Sequence, residues 1–325
     1  MIKFIPGGIV LAPLAGITHP AFRSVVSEYG GCGLYYSEML SCKSVTAGGA
    51  MNKIYTKKNE TDRPFFYQLF SGEKDDFLKA GALLSEKKPD GFDINLGCSA
   101  PEITRRGAGT SLLERYDYAA GIIDALIKET GLPVSVKVRC GIKERDYSFI
   151  SKALKTFEDA GAAFAAVHPR CAKEKFSRKA DWTFITRLKQ DLKMPIGGNG
   201  DIMSANDAVL REKKFKCDFV MVGRASVWAP WIFKKYHCLK AGKHFEEPDR
   251  EKAFFSFLEK TCELFPTERT RGRILDFASY FCMQFKFGHN LYSRLRKCSS
   301  LESIRSVAES FFKTSSSSEF RKDYI

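Results

Sequence analysis

Eight short apolar runs, alternating with stretches of helical spacing, constrain the fold of this chain more than any other feature. The runs are Ile9–Ala12, Leu34–Tyr36, Phe65–Leu69, Phe92–Asn95, Val134–Val138, Ala163–Val167, Pro195–Gly198 and Phe219–Val222. Their length and their bounding turn residues give them strand character. Between them lie helical stretches: Ala21–Tyr29, Lys74–Glu86, Tyr116–Glu129, Tyr147–Ala160, Thr183–Leu192 and Ala205–Glu212. Strands alternating with helices make a parallel sheet, and eight of them close a TIM (β/α)8 barrel. An open doubly wound sheet is the rival architecture.

The placement of polar residues favours the barrel, whose chemistry sits on loops leaving the carboxyl ends of the strands. The first run leads into Pro13-Leu14-Ala15-Gly16, the third ends at Gln68, and the fourth runs into Asn95-Leu-Gly-Cys98. Lys137 closes the fifth and His168 the sixth. The seventh runs into Gly198-Asn199-Gly200-Asp201, and the eighth into Gly223-Arg224. Structural residues scattered at random would not gather at one end of successive strands.

A barrel takes roughly 250 residues, so a chain of 325 has room for an appendage. From about residue 241 the pattern becomes helical: Lys252–Phe265, Arg271–Phe287 and Leu301–Phe312. A Ser-rich stretch, Ser315–Ser318, then leads to a charged end expected to fray. The expected division is a barrel over 1–240 and a small all-helical domain over 241–325.

With 52 Lys and Arg against 38 Asp and Glu, the net charge is +14, which favours a polyanionic partner. Most of the excess lies on the barrel. The appendage carries one dense basic segment, in which Arg269, Arg271, Arg273, Lys286, Arg294, Arg296 and Lys297 face a single acid, Asp276. No apolar run reaches the ~18 residues of a membrane-spanning helix. The start resembles a secretion signal only loosely, because Pro6, Gly7, Gly8 and Pro13 interrupt it, and it reads better as a first strand. Ten cysteines are scattered without a Cys-x-x-Cys pair, so zinc and iron–sulfur signatures are absent and no metal is expected. Reduced thiols in a cytoplasmic monomer are the expectation.

Glycines at 197, 198, 200 and 223, with Arg224, suit a phosphate held by backbone N–H groups after the seventh and eighth strands. Alone, each glycine pair would be no more than a tight turn. Gln68 and Lys137 suit the hydrogen-bonding edge of a flavin and the negative charge its reduced form carries. A capped lysine and a hydrogen-bonded core histidine are the plainer readings of Lys137 and His168. Cys98 differs from the other cysteines by sitting in a glycine-bearing loop at the rim. A thiol with an ordinary pKa of about 8.5 is mostly protonated at neutral pH and serves as a general acid, whereas its thiolate is a nucleophile. The sequence leaves both roles open.

Taken together, the motifs resemble the tRNA-dihydrouridine synthase family from Leu11 to about Phe233. They are Ala12-Pro-Leu-Ala-Gly-Ile17, Asp93-Ile-Asn-Leu-Gly-Cys98, Gly107-Ala-Gly-Thr-Ser-Leu-Leu113, Val134-Ser-Val-Lys-Val-Arg139, Ala180-Asp-Trp182, Gly198-Asn-Gly-Asp-Ile202 and Gly223-Arg-Ala225 with Pro230-Trp-Ile-Phe233. The helical tail resembles the family's RNA-contacting domain. The resemblance implies bound FMN, NADPH or NADH as reductant, and tRNA as substrate. Carried over by position, Pro13, Leu14, Ala15, Gln68, Lys137, His168, Asn199, Gly200, Asp201, Gly223 and Arg224 would contact FMN. Cys98 would protonate C5 of a uracil that takes a hydride at C6, on a base extruded from the folded RNA. Arg105-Arg106, Lys173–Lys179 and Arg269–Lys297 would hold the RNA backbone.

Two departures stand out. The family has Pro directly after the catalytic Cys, whereas Ser99 follows Cys98 here and Pro comes at 101. At the sixth strand the family reads His-Gly-Arg-Thr-Arg, and this chain reads His168-Pro-Arg-Cys-Ala172. The rival readings are a flavin barrel acting on free pyrimidines, an RNA-binding flavoprotein without catalysis, and a flavin-free phosphate-binding lyase.

Overall fold

A computed structural model describes residues 7–175 and 177–314; the Ser-rich tail lies outside them. Its strands are β1 (Ile9–Leu11), β2 (Tyr35–Ser41), β3 (Phe65–Phe70), β4 (Gly91–Leu96), β5 (Val134–Arg139), β6 (Ala165–His168), β7 (Ile196–Asn199) and β8 (Phe219–Val222). All pair in parallel, in the order β1-β8-β7-β6-β5-β4-β3-β2. The two ends of that order meet. Leu11 N–H donates to Leu34 O at 3.1 Å and Gly33 N–H to Ile9 O at 2.8 Å. The sheet is therefore a closed barrel, and the open-sheet alternative falls away.

Strand residues alternate between two faces. Outward-facing Val134, Val136 and Val138 of β5, for example, are fully buried under the surrounding helices. The inward set is shorter. Val10, Leu34, Tyr36, Phe66, Phe164, Phe219 and Met221 pack into one apolar cluster inside the barrel. Two glycines serve that packing: a Cβ on Gly91 would lie 2.3 Å from the Phe66 ring, and one on Gly197 would lie 2.1 Å from the Phe219 ring. The inside of the barrel is filled at the amino ends of its strands and is no pore.

Every helix expected between strands is present within a few residues of its expected bounds, the first as Pro20–Tyr29 and the last as Ala205–Phe215. The expected helix Arg271–Phe287 is instead Thr267–Phe281, a tight turn Cys282–Gln284, and a separate helix Gly288–Lys297. Phe285 leaves the helical conformation and turns its ring against Phe281, Phe311 and Phe312. A continuous apolar pattern hides this break, and only Gly288, whose Cβ position is occupied by Cys282 O, signals it. The C-terminal helices share an aromatic core: Phe257 stacks on Phe277 with centroids 3.9 Å apart, and Phe254 meets both Phe277 and Phe281. They dock on the barrel through Phe22 against Phe257 and His19 against Phe265.

Candidate active site

A cavity of about 440 Å3 opens at the carboxyl ends of the strands. All twelve residues singled out from the sequence line it: Cys98; Pro13, Leu14 and Ala15; Gln68, Lys137 and His168; Asn199, Gly200 and Asp201; Gly223 and Arg224. Asn95, Arg139 and Arg170 line it too. The signal for Asn95 and Arg139 was available, since each lies two residues from another inward-facing side chain, Asp93 and Lys137. Tyr280 also lines it. It arrives from helix Thr267–Phe281, far along the chain, and no local pattern points to it.

The floor of the cavity is a hydrogen-bonded chain across three strands. Ser135 Oγ donates to Asp93 Oδ1 at 2.6 Å, and Gln68 Nε2 donates to Asp93 Oδ2 at 2.7 Å. Asn95 Nδ2 donates to Gln68 Oε1 at 2.9 Å. Asn95 Oδ1 then accepts the backbone N–H of Cys98 at 2.9 Å and of Gly97 at 3.2 Å. The chain fixes which way each amide points, and it connects Gln68 to the backbone of Cys98. Burial pushes the Asp93 carboxyl up to about 6, against the pull of its donors and of Lys137.

Lys137 stands opposite without a partner: among the described residues its Nζ makes no hydrogen bond or ion pair. Burial and the neighbouring Arg139 push its ammonium down to about 8, against the attraction of Asp93. His168 is held neutral by burial and by the cations Lys137, Arg139, Arg170 and Arg224 around it. The Arg170 guanidinium lies 3.0 Å from its Nε2. A guanidinium only donates, so Nε2 is the acceptor and the proton sits on Nδ1.

Arg170 also grips the Asp201 carboxylate with two contacts, 2.7 and 2.8 Å from one nitrogen. Burial opposes the charge of Asp201, but Arg170 and the Ala180 N–H outweigh it and hold the carboxyl below its ordinary value. The carboxylate of Asp201 is thus engaged within the protein even though the residue lines the cavity. The glycines divide as well. Gly198 makes way for the Trp182 ring, which a Cβ would meet at 2.1 Å, and Gly200, with φ +114, for His168. At Gly223 a Cβ would find nothing nearer than Leu14 at 3.5 Å. The protein itself gives no reason for glycine there, and the space belongs to whatever approaches that backbone.

The Cys98 loop is tied down on both flanks. Arg139 Nε donates to Gly97 O at 2.9 Å, and Thr110 N–H donates to Cys98 O at 2.9 Å. Arg115 bridges Gly72 O and Gly107 O, each at 3.1 Å. Pro101, displaced from its family position, opens the helical turn Pro101–Thr104, where a proline's missing N–H costs nothing. Half-buried Cys98 rests against Phe70, Ile103 and Ala108. It is the one cysteine among the described residues that faces the cavity. At the sixth strand, Arg139 NH1 holds the carbonyls of Cys171 and Lys175, so the altered His168–Ala172 segment is anchored to the Cys98 loop.

The basic segment of the C-terminal helices is partly structural. Arg271 donates to Cys298 O and Arg296 O, closing the end of helix Gly288–Lys297. Arg273 contacts Tyr55 and Asp276. Arg294, Arg296 and Lys297 remain exposed. No helix among the described residues is long and apolar enough to cross a membrane, and none of their side chains group as a metal site.

The sequence matches the dihydrouridine synthase family over residues 10–281. A probable tRNA-dihydrouridine synthase of Aquifex aeolicus is 34% identical over 239 residues, covering 72% of this chain and 74% of its own. The tRNA-dihydrouridine synthase B of Pseudomonas aeruginosa is 29% identical, covering 80% and 78%. Among solved structures, a 2-naphthoyl-CoA reductase aligns with a TM-score of 0.56 at 11% identity, over 74% of this chain and 50% of that one. At that identity the likeness concerns the fold alone.

Proposed function

This chain belongs to the dihydrouridine synthase family, and on that premise we propose that it reduces the C5=C6 bond of uridines in tRNA. The observation that carries the reading is the meeting of Cys98 and the unpartnered Lys137 on one cavity whose eighth-strand glycine is left open by the protein. Residues 1–240 form the catalytic unit in this reading, and 241–325 contact the RNA.

When bound, FMN supplies the hydride taken up at C6 of the uracil, and NADPH or NADH restores it. Gly223, Arg224 and the backbone of 199–201 would hold its phosphate, with Pro13, Leu14 and Ala15 along one edge of the ring. Gln68, its orientation fixed by Asp93 and Asn95, would meet the pyrimidine edge. The Lys137 ammonium would balance the negative charge of the reduced ring. His168, neutral and protonated on Nδ1, would offer a donor without adding charge. Cys98 Sγ gives its proton to C5 and regains one from solvent. The uridine must be swung out of the tRNA fold to reach this depth, and the charge excess of the chain makes its RNA affinity salt-sensitive.

The test is dihydrouridine mapping in tRNA from cells lacking the gene, paired with purified protein, tRNA and NADPH. Loss of dihydrouridine at defined positions, restored by the protein, supports the reading. Unchanged tRNA, with turnover of free pyrimidine instead, contradicts it.

A further inference from the structure

Among the described residues, Tyr280 is the one that lines the cavity without coming from the barrel. It stands half-buried on helix Thr267–Phe281, with part of its side chain against the hydrophobic core. Two other half-buried tyrosines are engaged: Tyr55 bonds Arg273 and packs on Phe265, and Tyr29 packs on Trp231. Among the described residues, the Tyr280 ring meets no other aromatic ring or cation, and its hydroxyl makes no hydrogen bond.

The helix face that carries it is turned to the mouth. Residues seven apart share a helix face, which places Arg273 two turns before Tyr280 on that face. A Cβ on Gly16, in the loop bearing Pro13 to Ala15, would lie 3.1 Å from Arg273 and 3.3 Å from Asp276. The helix thus lies directly over the cavity-lining loop. One turn before Arg273 on the same face is exposed Arg269. A cation and an unengaged aromatic ring along one face, at the edge of a cavity, is the arrangement that takes a single-stranded nucleic acid: the cation for backbone, the ring for a base.

We propose that Tyr280 is a base-stacking residue, against which an unpaired base of the substrate RNA lies as the strand enters the cavity. The inference rests on the tRNA reading above for its ligand. Stacking requires the π-face and not the hydroxyl, and this separates it from a hydrogen-bonding role. It also places the recognition element on the helices, so that loss of Tyr280 leaves the cofactor end of the cavity intact.

The experiment compares the full-length holoprotein with Tyr280→Phe, Tyr280→Leu and Tyr280→Ala. Unmodified tRNA transcript binding is followed by fluorescence anisotropy, beside flavin content, NADPH oxidation and thermal melting. Stacking predicts RNA affinity within twofold for Y280F and about tenfold weaker for both Y280L and Y280A, with flavin content and NADPH oxidation unchanged. Y280L keeps apolar bulk, so it reads the π-face even if Y280A melts early. Unchanged affinity in Y280L, equal losses in Y280F and Y280L, or loss of flavin from Y280L would each overturn the proposal. Affinity needs no turnover. A wild-type protein that forms no dihydrouridine would therefore sink the functional reading without deciding this one.

Discussion

Inside the barrel, the same strands present two different interiors. Towards their amino ends they offer Val10, Phe66, Phe164 and Phe219, a buried apolar plug. Two or four residues later, on the same inward face, they offer Ala12, Gln68, His168 and Gly223 around a cavity. The backbone is common to both ends, so the difference lies only in side chains. The plug at the amino ends is held by side-chain packing. The cavity keeps the Lys137 ammonium without a hydrogen bond or ion pair among the described residues, pushed down by burial, and beneath it burial pushes the Asp93 carboxyl up. Residues that burden stability at one end of a well-packed barrel are there for a ligand.

The comparison breaks most visibly at cysteine. Cys98→Ala should lower dihydrouridine formation by about a thousandfold, with flavin content unchanged. Cys140→Ala, a fully buried thiol away from the cavity, should cost about 1 kcal/mol of stability and leave turnover alone. Equal effects on rate would mean that the mouth has no special cysteine.

Lys137→Met sharpens it next. Removing the unpartnered ammonium should slow turnover about a hundredfold, yet raise the unfolding free energy of the flavin-free protein by about 2 kcal/mol. Denaturant melts and single-turnover rates read the two changes separately. A variant that loses stability would place Lys137 among the structural residues.

Two glycines extend the contrast to the backbone. Gly197→Ala drives a methyl into the Phe219 ring and should cost about 2 kcal/mol. Gly223→Ala has room in the protein and should fold as well as wild type, while binding FMN about tenfold more weakly.

The smallest effect is in pH. Lys137 loses its proton near 8 in the folded chain but only near 10.5 when unfolded. In that interval the unfolded chain binds more protons, so stability rises with pH. Activity that needs the ammonium falls over the same interval. Opposite slopes in the two titrations are the expected result.

Much of this contrast is legible in the sequence because a strand's two-residue period is short. Lys137 and His168 announce the mouth simply by being polar at the end of an apolar run. The same rule reaches Arg139 and Asn95. It cannot reach Tyr280, which enters from a helix some 140 residues beyond Lys137, nor the hydrogen bonds that commit Asp201 to Arg170. Nor does it show the second use of the glycines before Asn199, where Gly197 and Gly198 admit two aromatic rings. The break at Phe285 was hidden for a similar reason, since apolar periodicity persists through a turn that packing alone creates.

Titration of FMN into the flavin-free protein tests the central claim most directly. One FMN per chain, bound with quenched fluorescence and bleached by NADPH, with binding weakened in Gly223→Ala and Lys137→Met, is the predicted result. A folded wild-type protein that leaves FMN fluorescence unchanged at every concentration would contradict it.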